Sequence, residues 1–174
     1  IEHLPLGVRR ERARGPKRAL LTSLLVETHP SVVTLLARNP RLREPDAVRL
    51  TALRPQHPYA LWAMLLCPRW LSSPRVLEAI ALNPECATAY ILLAEEEAQD
   101  ITEAESKFRE AYRVAEQNHR RSQQMQHQNS AMESQHRRDT NVMIYIRRRL
   151  AMCARKLGRL KEAVKMFKDL TKEV

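Results

Sequence analysis

Four stretches in the first half of the chain repeat one arrangement of apolar and polar positions between prolines of constant spacing. They are PSVVTLLARNP from Pro30, PDAVRLTALRP from Pro45, PYALWAMLLCP from Pro58 and PRVLEAIALNP from Pro74. Apolar residues fall at offsets two and three, then five and six, then often eight, which is a helical stripe. Proline suits the first turn of a helix and disfavours helix in the residue before it, so each pair marks a start and a stop. Helices this short, about 12 to 14 Å, are marginal alone in water and must bury their stripes against one another. Upstream, Leu20, Leu21, Leu24 and Leu25 give one apolar face to a helix expected from Pro16 to about Glu27. Short connections predict that consecutive helices are neighbours.

After Pro84 the punctuation changes to long uninterrupted helical patterns. Residues 85 to 98 read as one helix, and Thr102-Glu103-Ala104-Glu105 as a capping box opening the next. Ala104, Phe108 and Ala111 fit the second helix of a tetratricopeptide repeat, and the grammar returns in Leu150-Ala151, Gly158, Ala163, Phe167 and Leu170. Between the copies, residues 116 to 141 are rich in Gln, His, Ser and Arg. They are expected as a polar insertion in which a helix runs on, loops, and restarts at Asp139-Thr140-Asn141. The expected domains are a basic, disordered or weakly helical segment over 1–15, proline-bounded repeats over 16–84, and two hairpins over 85–174.

The wording Leu36-Ala37-Arg38-Asn39-Pro40 and Ala79-Ile80-Ala81-Leu82-Asn83-Pro84 resembles bacterial HEAT-like and leucine-rich-variant repeats, over roughly residues 28 to 84. The fold class expected is all-α: an α-solenoid of short HEAT-like helical repeats followed by tetratricopeptide-like hairpins.

The second half carries a more specific resemblance. Asn83-Pro84-Glu85-Cys86-Ala87-Thr88-Ala89-Tyr90-Ile91-Leu92-Leu93-Ala94-Glu95-Glu96-Glu97-Ala98, Arg137-Arg138-Asp139-Thr140-Asn141-Val142, and the run from Tyr145 to Arg159 are similar to the suppression-of-tumorigenicity-7 protein family of animals, over about residues 83 to 174. The resemblance implies a tetratricopeptide-like region, a link to growth suppression and no established enzymatic activity. That family looks membrane-associated, but this sequence shows none of its flanking membrane segments, so membrane localisation is not carried over. The change of grammar at Asn83-Pro84 suggests a join, and with it a chimeric or designed protein with no evolved function. Ile1 without a Met points to a fragment, a processed tag or an engineered boundary.

Composition adds charge. The net charge is +10, and residues up to Pro84 hold thirteen basic against six acidic side chains. Phosphate neutralisation makes nonspecific nucleic-acid binding the alternative function. Aromatic residues are only 5% of the chain, and no stacking platform or recognition-helix motif supports that alternative. Cys67, Cys86 and Cys153 are an odd number without metal spacing, which fits buried thiols in a cytoplasmic or other reducing compartment. The longest apolar run, Tyr59 to Cys67, falls well short of the roughly 20 residues that span a bilayer. His119, His127 and His136 lack an i, i+4 pair, so no metal is expected, and no constellation of side chains specifies a reaction or a cofactor. Trp62 and Trp70 are expected in the core.

The remaining candidate chemistry is a basic ridge. Arg148, Arg155 and Arg159 are predicted on the face opposite Val142, Ile146, Leu150, Cys153 and Leu157. With Tyr145 they form the candidate partner site, suited to an acidic peptide or a C-terminal carboxylate. The expected role is a non-catalytic interaction scaffold, with self-association through an exposed terminal face as a further possibility.

Overall fold

The structure is a computed structural model that describes residues 4–54, 56–125 and 130–172. Pro55, His127 and the last two residues, on which parts of the sequence reading fall, lie outside the described residues. Every regular element among those described is helical, and the chain divides into two compact units, residues 1–86 and 87–174.

The first unit holds α1 (Leu6–Arg14), α2 (Arg18–Ser23), α3 (Pro30–Arg38), α4 (Glu44–Thr51), α5 (Pro58–Leu65), α6 (Pro68–Leu71) and α7 (Pro74–Ala81). Proline sits in the first turn of each helix from α3 to α7, where its missing N–H is not needed. Pro68, expected as a stop mark, opens α6. The N-termini are closed by side chains: Nδ1 of His29 accepts from the Ser31 N–H, Nδ1 of His57 from the Tyr59 N–H, and Ser73 Oγ from the Val76 N–H.

The C-termini are closed differently. Glycine occurs only at positions 7, 15 and 158, so the short helices of this unit largely lack the usual left-handed glycine cap. Their last carbonyls are instead held by side chains distant in sequence, most of them from later in the chain. Asn39 Nδ2 donates to the carbonyls of Ala13 and Gly15 at the end of α1, at 2.7 and 3.0 Å. Trp70 Nε1 donates to Ala37 at 2.8 Å, and Arg69 to Asn39 and Leu42. Asn83 Nδ2 serves Thr51 and Leu53 after α4, and Arg54 donates to Leu82 after α7.

These caps sit between helices that are not consecutive. The most extensive packings join α1 to α3, α3 to α5, and α4 to α7, while the consecutive pairs α1–α2, α5–α6 and α6–α7 touch over smaller areas. The residue before Pro30, Pro58, Pro68 and Pro74 is extended, so the chain turns at the entry of α3, α5, α6 and α7. Val32, Val33, Leu36 and Ala37 of α3 and Leu61 and Met64 of α5 are buried by this packing. Trp70 is 2% exposed, whereas Trp62 is half-buried, packs edge-on against Tyr59, and leaves its indole N–H buried without a partner among the described residues.

The basic segment expected to be disordered or weakly helical carries α1. Three tethers hold it: Ala13 is fully buried, Arg9 pairs with the buried Glu27 at 2.8 Å, and Asn39 binds its terminal carbonyls. None of these partners is near it in sequence.

The second unit contains α8 (Cys86–Leu92), which runs into a π-helical turn over Leu93–Glu97, then α9 (Ile101–Met125), α10 (Ser130–Lys156) and α11 (Leu160–Lys172). The first helix starts one residue before the unit boundary. The capping box of α9 is Asp100 with Glu103, two residues earlier than expected. Asp100 Oδ1 accepts from the Thr102 and Glu103 N–H groups, and Glu103 accepts from the Gln99 N–H. This leaves Glu105 free of capping duty.

The polar stretch expected to loop until Asp139 is helical from Ser130 and lengthens a hairpin of α9 and α10. Its polar residues face partners across the hairpin. The rings of His119 and His136 stack with centroids 4.7 Å apart, Ser122 Oγ meets His136 Nδ1 at 3.2 Å, and Thr140 Oγ1 meets His119 Nδ1 at 3.3 Å. Asn118, Ser122 and Asp139 are buried, and Gln135 donates to Asp139. Paired polar groups can occupy core positions without the cost of unmet hydrogen bonds.

Gly158 ends α10 at φ +77°, the left-handed conformation that glycine tolerates. The Gly158 N–H reaches the Arg155 carbonyl and the Arg159 N–H reaches Ala154, which is the Schellman pair of bonds. No single helix among the described residues is long and apolar enough to cross a membrane.

Candidate partner-binding groove

The four residues of the predicted ridge part company in the structure. Arg148 and Arg155 lie two turns apart on the exposed side of α10, with no acidic partner among the described residues. Tyr145 is exposed, but its hydroxyl donates to Glu95 in the π-helical turn. That bond to a carboxylate, aided by burial, raises the phenol above its ordinary range and keeps it neutral.

Arg159 is the most changed. It follows the helix, and the Schellman turn swings it to the carboxylates of Glu105 at 2.5 Å and Glu162 at 2.9 Å. Glu105 also receives Arg109 at 2.6 Å. The bond from Arg159 holds the Glu105 carboxyl below the usual carboxylate range, against the opposing effect of burial. Arg159 therefore ties α9 to the α10–α11 turn, and projecting a straight helix through Gly158 hides this.

A different set of α10 side chains builds a concave site. Arg149, Met152, Cys153 and Lys156 recur at helical spacing and face Ala94 and Glu95 of the π-helical turn and Ile101, Ala104 and Phe108 of α9. The cleft has a volume of about 180 Å³. Its floor is apolar, with Phe108 buried below the guanidinium of Arg149 at 5.5 Å. Arg149 is also paired with Glu95 at 2.8 Å. The Cys153 thiol is pushed up by burial, which keeps it protonated and unreactive at neutral pH. Lys156 is exposed at the rim and makes no ion pair with a described residue.

Chemically, this is a cleft with an apolar floor, one cation over an aromatic ring and one exposed ammonium at the edge. The sequence signal for Arg149 and Lys156 was the same helical spacing used for Arg148 and Arg155. Choosing between the two faces required knowing which side of α10 meets α9. Among the described residues no group of three or more His, Cys, Asp or Glu could hold an ion.

The fold and this cleft define an all-α protein with a helical-hairpin groove. By sequence, the profile of the ST7 protein family matches residues 74–174, more than half of the chain. The chain belongs to the ST7 family. It is 66% identical over 96 residues to a protein ST7 homolog of Drosophila melanogaster, an overlap of 55% of this chain and 18% of that protein. It is 65% identical over 94 residues to the suppressor of tumorigenicity 7 proteins of Macaca fascicularis and Mus musculus. Those overlaps are 54% of this chain, and 18% and 16% of the two relatives. The chain thus spans less than a fifth of the length of these curated relatives. The family match begins at Pro74, at the start of α7 and upstream of Asn83-Pro84. No solved structure matches the chain.

Proposed function

We propose that the chain is a non-catalytic helical scaffold, built of stacked repeat-like helices, that holds a protein partner through the cleft between the π-helical turn, α9 and α10. The observation that carries this reading is Lys156, without an ion pair among the described residues, at the rim of a cleft with an apolar floor at Ala104 and Phe108. An extended segment carrying a carboxylate near an apolar residue meets both features at once. The exposed Arg148 and Arg155 on the outer side of α10 add a field that draws acidic segments toward it. The alternation of packed helices in the first unit supports the repeat reading, and buried thiols at Cys86 and Cys153 support a reducing compartment.

Mapping amide shifts tests the proposal, using a short Asp- and Glu-rich peptide with a free C-terminal carboxylate as the probe. Shifts concentrated at Ala104, Phe108, Met152 and Lys156 are expected. Shifts confined to other surfaces, or none at millimolar peptide, overturn it.

A second reading, nonspecific nucleic-acid binding, draws on Arg10, Arg14 and Lys17, all exposed around the end of α1. Several other arginines of that unit are already engaged as caps or ion pairs, Arg9, Arg54 and Arg69 among them. This reduces the cation surface available to phosphates.

A further inference from the structure

The last helix presents a second surface, separate from the cleft. Ala163 and Leu170 of α11 are buried, as expected of its inward stripe. Beside that stripe, Leu160 is 62% exposed and Val164 51% exposed, with the half-buried Phe167 continuing the seam at i, i+4 and i+7. Immediately alongside run Lys161, Lys165, Lys168 and Lys172, all exposed, at i, i+4, i+7 and i+11.

The acidic residues of α11 border the lysine row on its side away from the apolar strip. Glu162 is held by Arg159, and Asp169 lines a hollow with Arg109, Tyr112 and Arg147, apart from one long contact of 3.8 Å to Lys172. The seam therefore has an apolar strip beside a row of four cations, of which Lys161, Lys165 and Lys168 make no ion pair among the described residues.

We propose that this face of α11 docks an acidic amphipathic helix of a partner polypeptide. Leucine-type residues on that helix at three- and four-residue spacing pack along Leu160, Val164 and Phe167, and flanking carboxylates meet the lysine row, as charged positions flank an apolar seam in paired helices. Charge complementarity selects this occupant over the others. A second copy related by twofold symmetry sets lysine row near lysine row, which repels. A lipid surface needs a broad apolar face, whereas the main apolar stripe of α11 is already turned inward.

The test is fluorescence anisotropy with a labelled synthetic peptide bearing Leu at alternating three- and four-residue steps and Glu at the flanking positions. Two controls accompany it, one peptide with Lys in place of Glu and one scrambled. Wild-type protein is expected to bind the Glu peptide, more weakly as salt rises, and neither control. The variant Lys161→Glu/Lys165→Glu/Lys168→Glu and the variant Leu160→Ser/Val164→Ser each loosen binding by at least about tenfold. All five substituted side chains are exposed, and unchanged circular dichroism verifies that the fold survives. Lys156→Glu, in the cleft, leaves this binding unchanged, which separates it from the function proposed above. Equal binding of either control peptide, or wild-type affinity in both α11 variants, overturns the proposal. So does stronger binding to phosphatidylserine vesicles than to the Glu peptide, or a salt-stable dimer lost in Leu160→Ser/Val164→Ser.

Discussion

Asn39 and Asn83 make the same three bonds in two places. Each sits before a proline at the end of a short helix, and each is buried. The amide nitrogen donates to two carbonyls at the end of an earlier helix: Ala13 and Gly15 for Asn39, Thr51 and Leu53 for Asn83. The amide oxygen accepts from the backbone N–H two residues on, at Arg41 and at Glu85. One side chain thus closes an earlier helix and shapes the turn that follows its own, which is the use of Asn-Pro in a chain with few glycines.

Replacing either asparagine by alanine leaves two carbonyls and one N–H without those partners. Asn39→Ala and Asn83→Ala are each expected to lower stability by about 1–3 kcal/mol, and their effects should add because they share no partner. Urea denaturation checks both. A change well below 1 kcal/mol would show that water replaces these bonds freely.

Gly158→Ala tests the turn that positions Arg159. A Cβ there meets nothing within 4 Å, so the cost comes from the backbone conformation alone. A loss of about 1–2 kcal/mol is expected by thermal or urea unfolding. Gly7→Ala, in α1 with equally open surroundings, is expected to be neutral or mildly stabilising.

His119 is expected to make the α9–α10 hairpin sensitive to acid. Burial, and then the neighbouring His136, hold the His119 imidazole below its ordinary range, with Asp139 opposing. A depressed histidine binds its proton more readily in the unfolded chain. Its contribution is therefore complete above the unfolded value of about 6.5 and is lost as pH falls from there toward the folded value. Unfolding free energy measured between pH 8 and pH 5 should decline on the acid side, and His119→Gln should flatten that decline. An equal slope in the variant would place the acid sensitivity elsewhere.

What could be read from the sequence follows the range of the forces involved. Proline acts on its own residue and the one before, so the starts of α3, α5 and α7 were legible at Pro30, Pro58 and Pro74. The same local rule misassigned Pro68, because a proline between two helices can end one or begin the next. The early start of α10 was illegible, since Ser130 to Arg138 reads as loop composition until His136 is set opposite His119 and Ser122. The basic character of α10 was legible, and the side of the helix that lines the cleft was not. Cations on α10 beside an apolar face were predicted, but Arg149 and Lys156, rather than Arg148 and Arg155, line the cleft. Arg159 was misplaced because Gly158 ends the helix on which its position was projected.

The scaffold reading is tested most directly by anisotropy titration of a labelled Asp- and Glu-rich peptide, single-stranded RNA and duplex DNA, at low and physiological salt, against wild type and Lys156→Glu. The account predicts that peptide binding persists at physiological salt and weakens by at least about tenfold in Lys156→Glu, while nucleic-acid binding collapses as salt rises. Peptide binding that is absent or indifferent to Lys156, together with nucleic-acid binding that survives physiological salt, would contradict it.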